Sequence, residues 1–204
     1  MTNAPVFEKT DQESMRDRIL ENAARLFVSN GFTAVSMREI AEAVGVSKAG
    51  LYYHFADKEG LMVTVLHEYL KDFSKIVNIA KIIAPDSYSR IKFLITEIFA
   101  QPAERRAIIR LASQEIGNLS PSVRADFNIV YHAEFIGQIE SILKDGMQQG
   151  EIQHTAPEML TWILLGMMYP FFYPNTGRNS AENTVVVDTL LQIFFDGIRE
   201  KKTV

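Results

Sequence analysis

The chain has 204 residues, 47% of them apolar and 23% charged, and its 21 Lys and Arg against 25 Asp and Glu leave a net charge of −4. That much apolar material can build the core of one or two domains, and the absence of cysteine excludes disulfide frameworks, thiolate metal sites, iron–sulfur clusters and thiol nucleophiles. A reducing, cytoplasmic setting is the expectation.

Residues 1–14 are polar and acidic, without the basic-then-apolar pattern of a secretory signal, and read as a flexible arm. Leu20, Ala23, Ala24 and Phe27 then recur at helical spacing while Arg16, Glu21 and Arg25 lie off that stripe, which predicts a first helix stopped at Gly31. Ser36-Met37-Arg38-Glu39 has the spacing of a capping box, in which the hydroxyl and the carboxylate each satisfy an exposed amide. A short helix over 37–44 follows, ended by Gly45, and Ser47 offers a new N-cap two residues later. Asp57 caps a longer helix whose apolar residues Leu61, Val65, Tyr69, Phe73, Ile76 and Ala80 step by three or four until Pro85.

Further helices are predicted over about 87–100, 102–116 and 121–147, with Pro102 and Pro121 in the first turn, where a missing amide is tolerated. Thr155 and Glu158 offer another capping box, and Pro170 is expected to kink or end the helix after it. The stretch over 159–174, the most apolar of the chain, falls short of the roughly 20 residues a bilayer requires, so no membrane partner is expected. A final helix over 184–199 carries Val187, Leu190, Leu191, Phe194, Phe195 and Ile198 on one face, with Asp188, Gln192, Asp196 and Glu200 opposite. Nine helical segments without strand-like alternation imply an all-α fold: a three-helix unit over 15–60, then a larger helical body over 61–204.

The stretch from Ile40 to Ser47 reads as a helix-turn-helix, in which Ala41 allows close approach, Gly45 makes the turn, and Ile40 and Val46 fill the corner. In its second helix Leu51 and Phe55 stand four apart and face the small core, leaving Lys48, Ala49, Gly50, Tyr52, Tyr53 and His54 on the exposed sides. Together with Phe32-Thr33-Ala34-Val35 upstream and Asp57-Lys58-Glu59-Gly60-Leu61 downstream, these residues resemble the DNA-binding domain of the tetracycline-repressor (TetR) family of bacterial regulators. Beyond about residue 75 the resemblance is architectural only.

The resemblance implies a homodimeric regulator, commonly a repressor, that sets two recognition helices in successive major grooves of a palindromic double-stranded DNA operator. The positions that match the family's pattern are Ser36, Met37, Arg38, Ser47, Lys48, Ala49, Gly50, Tyr52, Tyr53, His54 and Lys58. The hydroxyls, Arg38, His54 and Lys58 suit phosphate contacts, which set position and register. Lys48 can donate to guanine O6 and N7, and Tyr52 or Ala49 can touch thymine methyls. Ser36 and Ser47 have capping as an alternative role, and Tyr53 can pack its ring while only its hydroxyl reaches outward. Through Gly60 seven Lys and Arg face nine Asp and Glu, so binding must rest on the local gathering of Arg38, Lys48, His54 and Lys58 and be salt-sensitive.

In the body, Val187, Leu190, Leu191, Phe194 and Ile198 either pack within the monomer or, as the resemblance suggests, form a two-fold four-helix dimer interface. Aromatic and Met side chains exceed what a small core requires, and the resemblance implies that some line a pocket for a small apolar or amphipathic effector. The apolar candidates are Phe73, Phe93, Phe127, Tyr131, Phe135, Trp162 and Met167, and the polar ones are Arg110, Gln114 and His132 beside the Tyr131 hydroxyl. Effector binding would tilt the helix that begins at Asp57 and spoil the half-site match. Enzyme motifs are missing: there is no Gly-x-Ser-x-Gly and no P-loop or dinucleotide Gly pattern, and His67-Glu68 lacks a second His, so no catalytic residue, metal or cofactor is expected. The alternative reading is a helical ligand-binding or protein-interaction module without sequence-specific DNA binding.

Overall fold

In the computed structural model, which describes residues 14–171 and 180–199, the backbone is helical throughout apart from turns and one isolated bridge between Ile152 and Arg199. The expected arm ahead of Ser14 lies outside the described residues. Helix α1 (Met15–Asn30) opens on a reciprocal box between Ser14 and Asp17, buries Ile19, Leu20, Ala23 and Phe27, and ends at Gly31. The predicted Ser36–Glu39 box starts α2 (Met37–Val44), and Gly45, at φ 80°, closes it in the left-handed region that favours glycine. Ser47 caps α3 (Lys48–His54), its hydroxyl accepting the Gly50 amide at 3.0 Å. Leu51 is fully buried and Phe55 nearly so, which fixes the inward side of this short helix.

Helix α4 (Lys58–Ile83), capped by Asp57, runs for 26 residues. At 1.5 Å per residue it is about 39 Å long, enough to belong to both parts of the molecule. Leu61 and Met62 complete the N-terminal core with α1, while Leu70, Phe73, Val77 and Ala80 are buried in the body. The body adds α5 (Ser87–Ala100), α6 (Ala103–Glu115), α7 (Pro121–Tyr131), α8 (Gly137–Gln148), α9 (Pro157–Met168) and α10 (Ser180–Ile198). A π-helical turn, His132–Ile136, joins α7 to α8 without a break, so the ten helices make nine rods among the described residues.

Three local expectations are corrected. The Thr155–Glu158 box does not form: the N-cap of α9 is Ala156, because Pro157 takes the first helical position, where its fixed φ is already helical. Pro102 stands one residue earlier than expected, as the N-cap of α6. The last helix begins at Ser180 instead of 184. Pro170 lies in a short 3-10 turn, Tyr169–Phe171, directly after α9 ends at Met168.

For the apolar stripe of α10, left open between packing within the monomer and a dimer interface, Val187, Leu191 and Phe194 are buried inside the monomer at 2%, 0% and 3% exposure, on the side packed against α5; Leu190 and Ile198 are half-buried. The more apolar stripe of the helix has taken the nearest large apolar surface, which is in the same chain. A second stripe, Val185 and Ile193, stays exposed, as do Met159, Trp162 and Ile163 on the neighbouring α9.

Candidate nucleic-acid interface

The exposed side of α3 follows from its two buried residues. With Leu51 and Phe55 turned inward, Lys48, Ala49, Tyr52, Tyr53 and His54 are exposed and Gly50 is half-exposed. Tyr53 is 87% exposed. Its ring meets His54 edge-on at 5.3 Å, and the Lys48 ammonium lies 5.7 Å over the Tyr52 ring, so both aromatic side chains are braced by a neighbour.

Helix α2 brings its start to the same region. Arg38 is exposed and its Nε donates to Glu42 Oε1 at 2.8 Å. The hydroxyl and amide of Ser36 both donate to Glu39 at 2.7 Å, which holds that carboxyl below its ordinary pKa. Ser36 is therefore committed to its cap, whereas the Ser47 hydroxyl only accepts and keeps its own hydrogen for a ligand.

Two candidates take other roles. Met37 is 7% exposed, so its side chain belongs to the core. The ammonium of Lys58 donates to the carbonyls of Phe32, Thr33 and Val35 at 2.8, 3.3 and 2.7 Å and lies 4.4 Å over the Phe32 ring. Its three hydrogens are thereby used, because the loop before α2 has no helical partners for these carbonyls. Arg18 likewise donates to the Val44 carbonyl at 3.1 Å and Arg16 stacks over Phe55. The structure thus separates cations that hold the unit together from Arg38 and Lys48, which project from it.

In the body, Phe127, Tyr131 and Phe135 come together around a void of about 10 Å³, lined also by Leu66, Tyr69, Leu70, Ile108, Ile109 and Ala112. It has room for no more than about one water. Ring stacking continues along the helices, from His67 to Phe127 at 5.8 Å, on to Tyr131 at 5.8 Å and Phe135 at 5.3 Å, with Phe73 4.4 Å beyond. Burial pushes the phenol pKa values of Tyr69, Tyr131 and Tyr169 upward, so these hydroxyls stay neutral donors. Tyr69 and Ile108 also border an open cleft of about 540 Å³ between α1, α4 and α6 and so separate it from the inner void.

The other effector candidates do not join this group. Phe93 is half-buried on α5, and Gln114 is exposed and bonded to the half-buried Arg110. His132 is exposed beside the buried carboxylate of Glu140. Trp162, at 44% exposure, stands on the outer face of α9, and Met167 is half-buried on the same helix. Aromatic type alone does not tell a ring that lines a void from one on an exposed stripe. The α4 residues Leu66, Tyr69 and Leu70 were missed as pocket lining, although their spacing of three and one places them on one helix face.

Residues 19–65 match the family model for bacterial regulatory proteins, tetR family, and residues 85–198 match that for a tetracyclin repressor-like C-terminal domain. The chain is similar to the HTH-type transcriptional repressor KstR2 of Rhodococcus jostii (strain RHA1), with 27% identity over 159 residues that cover 74% of this chain and 76% of that one. Among solved structures it is similar to the TetR family transcriptional regulator PfmR from Thermus thermophilus, 28% identical with a TM-score of 0.70 over 86% of this chain and 98% of PfmR. AibR, solved in complex with isovaleryl coenzyme A and operator DNA, shares the fold at 24% identity and a TM-score of 0.74, over 89% of this chain and 98% of AibR.

Proposed function

This chain belongs to the TetR family of bacterial regulatory proteins, a family of DNA-binding transcriptional regulators, and we propose that it is a repressor that binds a palindromic operator as a homodimer and is released by a small apolar or amphipathic effector. The observation that carries the reading is the exposed side of α3, where Lys48, Tyr52 and Tyr53 project while Leu51 and Phe55 hold the helix from within. Lys48 and Tyr52, with the small Ala49 and Gly50, serve base edges; Arg38, Ser47, Tyr53 and His54 serve phosphates, and the α2 start presents the Met37 backbone.

The dimer forms through the second apolar stripe: Met159, Trp162 and Ile163 of α9 with Val185 and Ile193 of α10. Five large apolar side chains on two adjacent helices are a surface that a two-fold partner can bury. The effector site is the apolar void between α4, α6 and α7, enlarged by displacement of Tyr69 and Ile108. The isovaleryl coenzyme A in AibR, an apolar acyl group on a polar carrier, makes acyl thioesters the first probes to try. Among the described residues no helix is long and apolar enough to cross a membrane.

The test is enrichment of duplexes from a random pool by the full chain, followed by affinity at several salt concentrations. The enriched duplex should bind at least about a thousandfold more tightly than random sequence, and Lys48→Ala with Tyr52→Ala should remove most of that ratio. Equal affinity for both pools would instead mark a helical module without sequence-specific DNA binding.

A further inference from the structure

Helix α7 is capped from outside. Its N-cap residue, Ser120, makes no side-chain bond to its own first turn; its amide donates to Glu59 Oε1 at 2.8 Å and its hydroxyl to Glu59 Oε2 at 2.6 Å. Glu59 stands in the first turn of α4, so one carboxylate serves the positive ends of two helices at once. The adjacent Lys58 holds the three carbonyls of the loop in front of α2. A single turn of α4 therefore grips the DNA-binding unit with one residue and α7 with the next.

A second tie lies further along the same helices. The Ser74 hydroxyl of α4 donates to Glu134 Oε2 at 2.5 Å, within the π turn that follows α7. Glu59 and Ser74 are spaced along α4 almost as Ser120 and Glu134 are along the α7 rod, so the two helices run parallel and are pinned at their starts and again further along. The serine and the carboxylate exchange helices between the two pins. The small void lies between the pins, with Leu66, Tyr69 and Leu70 of α4 facing Phe127 and Tyr131 of α7.

A molecule that enters this void must push α4 and α7 apart although they are tied on either side of it. The strain then passes along α4 to the turn that holds the helix-turn-helix. We propose that Glu59 is the positioning residue through which occupancy of the void reaches the recognition helix, by way of its two hydrogen bonds to Ser120. This rests on the effector-release reading above.

The experiment uses a wedge in place of an effector. Ala112 lines the void, and Ala112→Leu fills it from α6; Ala112→Val is the milder second variant should the larger one fail to fold. Operator affinity, on a duplex enriched by the wild-type chain, is measured for wild type, A112L, E59Q and the double variant, with circular dichroism to check helix content. The wedge should weaken operator binding by about tenfold in the wild-type background and by less than about threefold with E59Q, S120A lying between and S120T restoring the wild-type factor. An equal factor in both backgrounds overturns the role of Glu59 and leaves effector release standing. A wedge that folds yet leaves operator affinity unchanged in the wild-type background overturns effector release from this void, and the role of Glu59 with it.

Discussion

Arg38 and Glu42, one turn apart on α2, form an ion pair of 2.8 Å between Nε and Oε1 although their side chains are 80% and 61% exposed. The pair engages the guanidinium through Nε, at the cost of a negative charge beside the proposed phosphate site. So exposed a pair adds little to folding. Its proposed effect is on DNA.

Glu42→Gln should therefore tighten operator binding by about threefold at low salt, with thermal stability unchanged, because a repulsive charge is removed near the phosphates. Arg38→Ala should weaken enriched and random duplexes alike and reduce the slope of log K against log salt by about one. Fluorescence anisotropy titrations at four salt concentrations read both effects. A sequence-selective loss in Arg38→Ala would remove it from the phosphate contacts.

The two stripes of α10 should separate assembly from folding. Ile193→Lys, on the exposed stripe, should give a monomer by light scattering while the chain melts as a folded protein. Leu191→Ala, on the buried stripe, should cost about 2–5 kcal/mol of stability through loss of packing and the cavity left behind. A dimer that survives both Ile193→Lys and Trp162→Asp would place the subunit contact elsewhere.

Gly31 has φ 82° and ψ 154°, a backbone region open essentially to glycine alone. A Cβ there would also stand 3.2 Å from a carboxylate oxygen of Glu115 at the end of α6. Gly31→Ala should destabilise the chain by about 1–3 kcal/mol, measured by urea denaturation. Stability equal to wild type would mean that the loop relaxes freely.

His67 is stacked on Phe127, and burial, reinforced by Lys71 and only partly opposed by Glu68, holds its pKa below the ordinary value of 6.5. The folded state thus favours the neutral ring, and the unfolded chain binds the proton more readily. Stability from this residue is in full above about pH 6.5 and is lost as the pH falls toward and through the folded value. His67→Phe, which keeps the stack, should flatten that part of the stability profile from denaturation at pH values of about 7.5, 6.5 and 5.5. An unchanged slope would assign the pH dependence to other groups.

Most of the helix ends are legible in the sequence because they depend on contacts three or four residues apart. Ser36 with Glu39, Ser47 with Gly50 and Asp57 with Gly60 need no distant partner. The inward side of α3 is legible for the same reason, since Leu51 and Phe55 define it from within. Periodicity is less informative where a helix has two apolar stripes. Hydropathy ranks Val187 and Leu191 with Val185 and Ile193, yet a linear pattern does not distinguish burial inside one chain from burial against another copy.

Local spacing along the chain determined that this protein is helical, where most of its helices begin, and which residues of the short α3 face outward. Tertiary structure alone decided that Lys58 closes a loop, that Glu59 caps a helix far along the chain, and which aromatic rings enclose a void. The physical reason is range: helix caps and stripes are set by neighbours within a turn, whereas the destination of a charge or a ring is set by whichever distant element folding brings beside it.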